Sequence, residues 1–250
     1  MKMKRKAILI GNTRDLAMTP CDLLNASLFL MSYQGGAWNM DEIVYMQDYS
    51  ANCILETIER TRNEENDYVI VYFTGHGGLQ GGTIIEINPE NELLEENSFF
   101  GLAPRQLIIL DCCRDIQTSP LSIYGSSRSM SPLEMALRKE VRTEYENLAM
   151  RAAPQLVRLY SCAEGESSYS SVNGSYYSYN LIESAKELLK SSDVVTIHQC
   201  HNLASQKTAN VVKKDLKMEQ HPTIIPAKCL AQAGLPFCFN YESIKLKVYG

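Results

Sequence analysis

The predicted fold is decided by the stretch Gln106–Asp115, which reads QLIILDCCRD. Residues 107–110 are apolar without interruption, and the run ends at Asp111, Cys112 and Cys113. A short continuous apolar run is typical of a strand that is buried on both faces of a parallel sheet. The carboxyl ends of such strands form the crevice in which α/β proteins bind their ligands. We therefore expect the two cysteines to lie at a functional edge of a sheet.

Three similar apolar runs precede this stretch, and they read RKAILIG (Arg5–Gly11), EIVYMQ (Glu42–Gln47) and DYVIVYF (Asp67–Phe73). Apolar residues at helical spacing separate the first three runs. A small hairpin arm over 83–87 and a short helix over 91–100 are predicted between the third run and the opening stretch. Strands that alternate with helices in this way predict an α/β fold with a parallel sheet and helices on both faces.

The second half of the chain continues this pattern after a change in composition. Residues 116–132 are rich in serine, and residues 133–151 are charged and helical in pattern. We interpret 116–154 as a flexible linker between two halves of a single domain, 1–115 and 155–250. The second half is predicted to hold a strand at 155–161, helices at 179–189 and from Asp193 to 214, and a strand at 222–226. The last predicted strand is either 237–240 or 244–248.

Composition excludes several classes of protein. The chain has 250 residues, 45% of them hydrophobic, and a net charge of −5, which argues against a broad nucleic-acid interface. The basic cluster Lys2–Lys6 leads into an apolar run too short for a signal sequence, and no stretch approaches the ~20 apolar residues of a membrane span. These features predict a cytoplasmic protein that does not contact a membrane. The eight cysteines include no CxxC pair, so we expect reduced thiols and no metal site.

A histidine follows the third apolar run and could activate a cysteine. His76 lies between Gly75 and Gly77 in the sequence TGHGG. At a free pKa of about 8.5 a cysteine is mostly protonated at neutral pH, and an imidazole can take this proton and return it to a leaving amine. The alternative is a loop histidine held by backbone groups. Because both glycines allow a substrate to approach the backbone closely, we favour the functional interpretation.

The two motifs resemble those of a known family. VYFTGHGG resembles the histidine motif of the caspase-like cysteine peptidases, and ILDCCRD resembles their cysteine motif. The Asp-x-Cys form is most similar to metacaspases, paracaspases and bacterial orthocaspases. AILIGN, Cys21-Asp22, LYSCAEGES and the QHP at 220–222 resemble further parts of the family. The resemblance implies a three-layer α/β/α sandwich with a central, mostly parallel sheet of about six strands, in which 1–115 is large-subunit-like and 155–250 is small-subunit-like.

The resemblance also implies the roles of individual residues. Cys113 would be the nucleophile and His76 the general base, and the amides of Gly77 and Cys113 would form the oxyanion hole. Alternation of side chains along a strand agrees with this choice, because it places Asp111 and Cys113 on one face and Cys112 on the other. We expect Cys112 to be a packing residue.

Two acidic residues suggest the specificity. Asp111 stands where caspases proper have glutamine, and Asp22 matches the position of a second acidic residue in metacaspases. Thr74 matches a small hydroxyl residue of the same pocket. Two carboxylates in a pocket favour a cation, and arginine can bind them bidentately. The sequence predicts cleavage after Arg, then Lys, in protein or peptide substrates. The alternatives are that Asp22 only complements its helix dipole and that Asp111 is a plain strand-end residue.

The linker carries basic residues at which such an enzyme could cut itself. We hypothesise activation by self-cleavage at one or more of Arg128, Arg138, Lys139, Arg142 and Arg151. The alternative is that these are ordinary charges on a solvated helix.

Other functions remain open from the sequence. A catalytically weak caspase-like interaction module and a clostripain- or legumain-like peptidase of different specificity are the alternatives.

We expect no cofactor. Some metacaspases need calcium, but no loop has the oxygen-ligand spacing of a calcium site. An upstream activator protein is expected, and monomer and dimer are equally open. We interpret His198, Cys200 and His201 as structural.

Overall fold

The computed structural model describes residues 3–114, 131–226 and 234–249. Its helices are α1 (Thr19–Met31), α2 (Ala51–Asn63), α3 (Pro132–Arg151), α4 (Tyr176–Leu188), α5 (Ile197–Leu216) and α6 (Glu242–Tyr249), with 3-10 turns at Met40–Glu42 and Glu96–Phe99. Its strands are β1 (Arg5–Gly11), β2 (Ile43–Gln47), β3 (Tyr68–Leu79), β4 (Thr83–Glu86), β5 (Leu93–Glu95), β6 (Arg105–Cys112), β7 (Gln155–Tyr160), β8 (Ser170–Ser171), β9 (Gly174–Ser175), β10 (Val194–Thr196), β11 (Thr223–Ile225) and β12 (Pro236–Phe239).

Six of these strands form the main path of the central sheet, in the order β2-β1-β3-β6-β7-β11. All neighbours pair in parallel except β11, which pairs antiparallel with β7 at one edge. The prediction of a mostly parallel α/β sheet of about six strands is therefore confirmed. In the register of β3 with β6, Thr74 lies opposite Asp111 and Gly75 opposite Cys112, so the two sequence motifs end side by side.

Alternate residues of the central strands supply two separate hydrophobic cores. Leu9, Tyr72 and Ile109 face the side covered by α1, α3, α4 and α5, whereas Ile8 and Ile108 face the side covered by α2. All of them are buried, and full burial of one large apolar side chain contributes about 1.5–3 kcal/mol. Because both faces are covered, the strands read as continuous apolar runs, and the layers form the expected sandwich.

Some element predictions were wrong. β3 continues past Phe73 to Leu79, and its last residues pair antiparallel with β4, so His76 lies within a strand and not in a loop. The segment predicted as a helix over 91–100 begins as β5, because Leu94 pairs with Ile85 and is buried there. Residues 244–248 belong to α6, while β12 is the terminal strand and pairs with β10.

The linker prediction also needs correction. Helix α3 occupies 132–151 and is not flexible chain: Leu137, Val141, Tyr145 and Ala149 recur every four residues and are all buried in the core. Ser131 begins the helix with a capping box, which satisfies two otherwise free backbone donors. Residues 115–130 lie outside the described part of the chain.

The side chains of two of the proposed self-cleavage residues bind α3 to the rest of the domain through hydrogen bonds and an ion pair. The guanidinium of Arg142 binds both carboxylate oxygens of Glu42 at 2.6 Å and is almost fully buried. Arg138 donates hydrogen bonds to the carbonyl oxygens of Met31 and Trp38. A peptidase needs an extended chain and a free side chain, whereas Arg138 and Arg142 lie on a helix with their side chains bound. Lys139 and Arg151 are exposed on the same helix.

Within the described residues, no helix combines the length and the apolar character that crossing a membrane requires.

Candidate active site

A cleft with about 390 Å³ of empty space opens at the carboxyl ends of β3 and β6. The first turn of α1 and the loop that follows β7 complete its walls. Its lining includes His76, Cys113, Asp22, Asp111, Ser168 and Ser175. The structure thus brings the candidate nucleophile, the candidate base and both candidate acidic residues into one cleft, although they are distant in sequence.

The two adjacent cysteines have different environments. Cys113 follows the last residue of β6 and is half-buried in the cleft, where its Sγ accepts a hydrogen bond from the Ser168 amide at 3.3 Å and donates one to the Ser168 carbonyl oxygen at 3.4 Å. Cys112 is fully buried in the core, and burial raises the pKa of its thiol well above its ordinary value. The Cys112 thiol is therefore enclosed in the core, whereas the thiol of Cys113 is within reach of the cleft.

The backbone at Gly77 is tightly enclosed. A Cβ atom at this position would lie 2.6 Å from Cys112 Sγ and 2.9 Å from the Ile84 carbonyl oxygen. Only glycine fits there, because a real Cβ does not approach other atoms so closely. The role of the Gly77 amide as an oxyanion donor stays a prediction.

His76 is buried, and one nitrogen of its ring has a backbone partner. Nε2 lies 2.7 Å from the carbonyl oxygen of Arg14, in the loop between β1 and α1. A carbonyl oxygen can only accept, so Nε2 is the donor in this contact, and in the neutral form of the ring the lone pair lies on Nδ1. The alternative of a histidine held by backbone is thus realised through Nε2, and Nδ1 is the nitrogen that accepts a proton whenever the ring is neutral.

The Asp22 carboxylate lies in the wall of the cleft and is buried, although the residue belongs to the first turn of α1. Its Oδ2 accepts a hydrogen bond from Thr74 Oγ1 at 3.1 Å, and its Oδ1 accepts one from the Ser175 amide at 2.8 Å. Burial, followed by the nearby charge of Asp111, raises the pKa of Asp22 well above its usual range, and the two hydrogen bonds only partly oppose this.

Asp111 is held by two serines that the sequence did not indicate. Its Oδ1 accepts from Ser168 Oγ at 3.0 Å, and its Oδ2 accepts a short hydrogen bond from Ser178 Oγ. Ser178 in turn bonds the hydroxyl of Tyr72 at 2.9 Å. Asp111 is therefore a buried, hydrogen-bonded carboxylate that faces the cleft, and not a plain strand-end residue.

A narrow hairpin covers the Asp22 side of the cleft. Strands β8 and β9 are joined by Val172 and Asn173, and Gly174 follows with φ +105°. A Cβ atom at Gly174 would lie 2.1 Å from Asp22 Oδ1, so only glycine lets the hairpin donate its Ser175 amide to the carboxylate. The Asn-Gly pair is a turn signal that could have indicated this hairpin from the sequence.

The QHP motif supports the loop after β7. The side chain of Gln220 is fully buried, accepts from the Tyr169 amide at 3.1 Å, and donates to the Ser161 carbonyl oxygen at 2.8 Å and to Ser168 Oγ at 3.2 Å. His221 bonds the carboxylate of Glu166 through its backbone amide and its ring. The motif thus places Ser168, which contacts both Cys113 and Asp111.

Cys200 and His201 of α5 are parts of the core, whereas His198 on the same helix is only partly buried. His201 Nδ1 lies 2.8 Å from the hydroxyl of Tyr177, and burial lowers the pKa of His201 to about 4. Cys200 is fully buried. In the ranges that the structure describes, no three His, Cys, Asp or Glu side chains are grouped so that they could hold a metal ion.

Comparison with known proteins places the chain in a family. A family model described as caspase domain matches residues 4–231. The chain belongs to the caspase family. The domain is therefore a member of a cysteine-peptidase family, and such a family implies a protein or peptide substrate. A search of curated protein sequences finds no match.

Solved structures show the same fold for this caspase domain. Caspase-1 of Spodoptera frugiperda is 15% identical, with 90% of this chain and 88% of that chain covered and a TM-score of 0.58. Pro-sf-caspase-1 is 14% identical, with 90% and 91% covered and a TM-score of 0.56. Protein GSU0716 of Geobacter sulfurreducens is 13% identical, with 93% and 97% covered and a TM-score of 0.55. At this level of identity the likeness concerns the fold alone.

Proposed function

We propose that this caspase domain is a cysteine endopeptidase that cleaves proteins after arginine, and less efficiently after lysine, through an acyl-enzyme. The observation that carries the proposal is the position of two buried carboxylates, Asp22 and Asp111, in the same cleft as Cys113 and His76.

In the proposed reaction, Nδ1 of His76 takes the proton of the Cys113 thiol, and the thiolate attacks the carbonyl carbon of the scissile peptide. The amides of Gly77 and Cys113 would stabilise the resulting oxyanion. The imidazolium then gives its proton to the leaving amine as the C–N bond breaks, which leaves a thioester on Cys113. Water, activated by the neutral imidazole, hydrolyses the thioester and restores the thiol.

The acidic pair explains the proposed preference for a basic P1 residue. Each ionised carboxylate can accept about four hydrogen bonds, so Asp22 and Asp111 retain acceptor sites beside those used by their serine and threonine partners. A guanidinium presents donors in a fork that matches two carboxylates, whereas an ammonium is a point charge. In this buried setting the entering cation would also favour the ionised form of Asp22. An acidic P1 side chain would be repelled.

A series of fluorogenic tetrapeptides that differ only at P1 tests the function. We expect measurable kcat/KM for Arg, a value several-fold lower for Lys, and none above background for Asp, because the same two carboxylates attract the first two and repel the third. Faster turnover of the Asp peptide than of the Arg peptide would contradict the proposal. Citrulline, which has the shape of arginine without its charge, is the control for side-chain length.

We further propose that self-cleavage occurs before helix α3. Arg138 and Arg142 are bound within α3, so we expect a cut before this helix, at Arg128, which lies outside the described residues. Intact mass after incubation should show two fragments for the wild type and a single full-length species for both Cys113→Ala and Arg128→Gln. Lys139→Gln is the matched control and should process normally. A cut within 132–151, or fragments from Cys113→Ala, would refute self-cleavage at this site.

A further inference from the structure

Glu86 lies opposite His76 in the antiparallel pairing of β3 with β4. Its backbone is therefore placed by the same strand that carries the histidine. Its side chain reaches the loop between β1 and α1, the loop whose Arg14 carbonyl oxygen bonds His76 Nε2. Glu86 is thus connected to His76 twice, through the sheet and through this loop.

The loop has no regular secondary structure that would aim the Arg14 carbonyl. The next residue, Asp15, has φ +55°, a left-handed conformation that few side chains other than those of Asp and Asn tolerate. The direction of the carbonyl is set by a turn, in which the Leu16 amide donates to the Thr13 carbonyl oxygen at 3.0 Å, and by hydrogen bonds from side chains outside the loop. One such anchor is Asp48, whose carboxylate bonds the amide and the hydroxyl of Thr13 at 2.8 and 2.7 Å.

A second side-chain anchor is the Glu86 carboxylate. Its Oε1 accepts from Arg14 Nη1 at 3.0 Å and from Asn12 Nδ2 at 3.1 Å. Asn12 is fully buried, and its side-chain oxygen accepts a hydrogen bond from the Arg14 amide at 2.8 Å. This hydrogen bond closes a tight turn at Arg14, the residue whose carbonyl oxygen bonds His76. Asn12 Nδ2 also donates to the backbone carbonyl oxygen of Glu86 at 3.0 Å, so the contact that depends on the carboxylate alone is the one with Arg14.

We propose that Glu86 is a positioning residue for catalysis, which holds the Arg14 carbonyl where it fixes the ring and the tautomer of His76. The proposal rests on the proposed role of His76 as general base. Glu86 does not touch the substrate. Without its carboxylate, Arg14 loses an ion pair that is partly shielded from water, and the carbonyl is no longer aimed at Nε2. A catalytic group must be held within about 0.5 Å of its productive position.

The kinetic test compares Glu86→Ala with Glu86→Gln. We expect Glu86→Ala to lower kcat for the Arg peptide by about 10- to 100-fold. KM should change less than about two-fold, because the Asp22 and Asp111 pocket is intact. Glu86→Gln keeps an oxygen that can accept from both partners, so it should restore most of kcat. Glu95→Ala, on the neighbouring strand β5, is the matched control and should behave as the wild type.

A second measurement is independent of turnover. In the Cys113→Ala background, ¹⁵N NMR of the His76 ring should show protonated Nε2, and Glu86→Ala should shift the ring toward mixed tautomers while Glu86→Gln should not. His76→Gln assigns the signal among the four histidines. If Glu86→Ala does not fold, Arg14→Ala removes the same ion pair and should have the same effect.

An unchanged kcat and an unchanged His76 spectrum in Glu86→Ala would overturn the proposal. A loss of kcat that Glu86→Gln does not restore would also overturn it, because the charge and not the hydrogen-bond geometry would then matter. If the wild type shows no turnover that depends on Cys113, the proposed function fails, while the NMR result still decides whether Glu86 positions His76.

Discussion

Replacement of Cys113 by alanine is expected to lower kcat/KM for an Arg peptide by about 10³-fold or more, because loss of a nucleophile removes the covalent route altogether. The thiol lies in the cleft against Ser168, so its removal leaves the core unchanged and the melting temperature should shift little. Initial rates with the fluorogenic Arg peptide, measured at equal concentrations of folded protein, give the result.

The matched control is the neighbouring thiol. Cys112 is buried against Gly77, so Cys112→Ala leaves a small cavity and should destabilise the domain by roughly 1–2 kcal/mol, with kcat/KM near that of the wild type. The opposite pattern, with activity lost in Cys112→Ala and kept in Cys113→Ala, would assign the nucleophile to Cys112.

Covalent labelling separates the enzyme from an interaction module. A peptide with arginine at P1 and a thiol-reactive group at its carboxyl end should add one mass increment to the wild type, located on Cys113 by peptide mapping. The increment should be absent in Cys113→Ala. A wild-type protein that remains unlabelled would favour the alternative of a catalytically weak caspase-like binding partner.

The second large effect is expected in the acidic pair. Loss of one buried carboxylate that pairs with a cation costs about 2–5 kcal/mol, so Asp111→Asn and Asp22→Asn should each lower kcat/KM for the Arg peptide by roughly 30- to 5,000-fold. Turnover of the citrulline peptide should fall much less, because its P1 side chain carries no charge. Asp41→Asn, an exposed acidic residue of a 3-10 turn, is the control for charge removal elsewhere.

Asp22→Asn should also change how the stability of the domain depends on pH. Because burial and Asp111 raise the pKa of Asp22 in the folded state, ionisation of Asp22 opposes folding as pH rises above the ordinary aspartate pKa of about 3.9. Removal of this ionisation should raise Tm near pH 7 and have less effect near pH 4. Equal Tm differences at both pH values, or unaltered Arg preference, would contradict the assignment of the pocket.

Much of the fold was predictable because its central strands are buried on both faces. Runs such as Ile8–Ile10 and Leu107–Leu110 have no room for polar residues, so their composition alone indicates β1 and β6. The short strands β5 and β10 and the helix α6 lack this signal. They are placed by pairing or packing against distant segments, so their residues carry little local pattern.

The sequence by itself determined the family resemblance, the sheet, and the candidates Cys113, His76, Asp22 and Asp111, since these lie in short motifs at strand ends and at the start of a helix. Only the tertiary structure decided which side chains and backbone groups form hydrogen bonds and ion pairs around these candidates. Ser168 and Gln220 meet across 52 residues, and Arg14 and Glu86 across 72. The physical reason is that a hydrogen bond or ion pair between distant segments depends on the position of both backbones, which no local pattern of residues encodes.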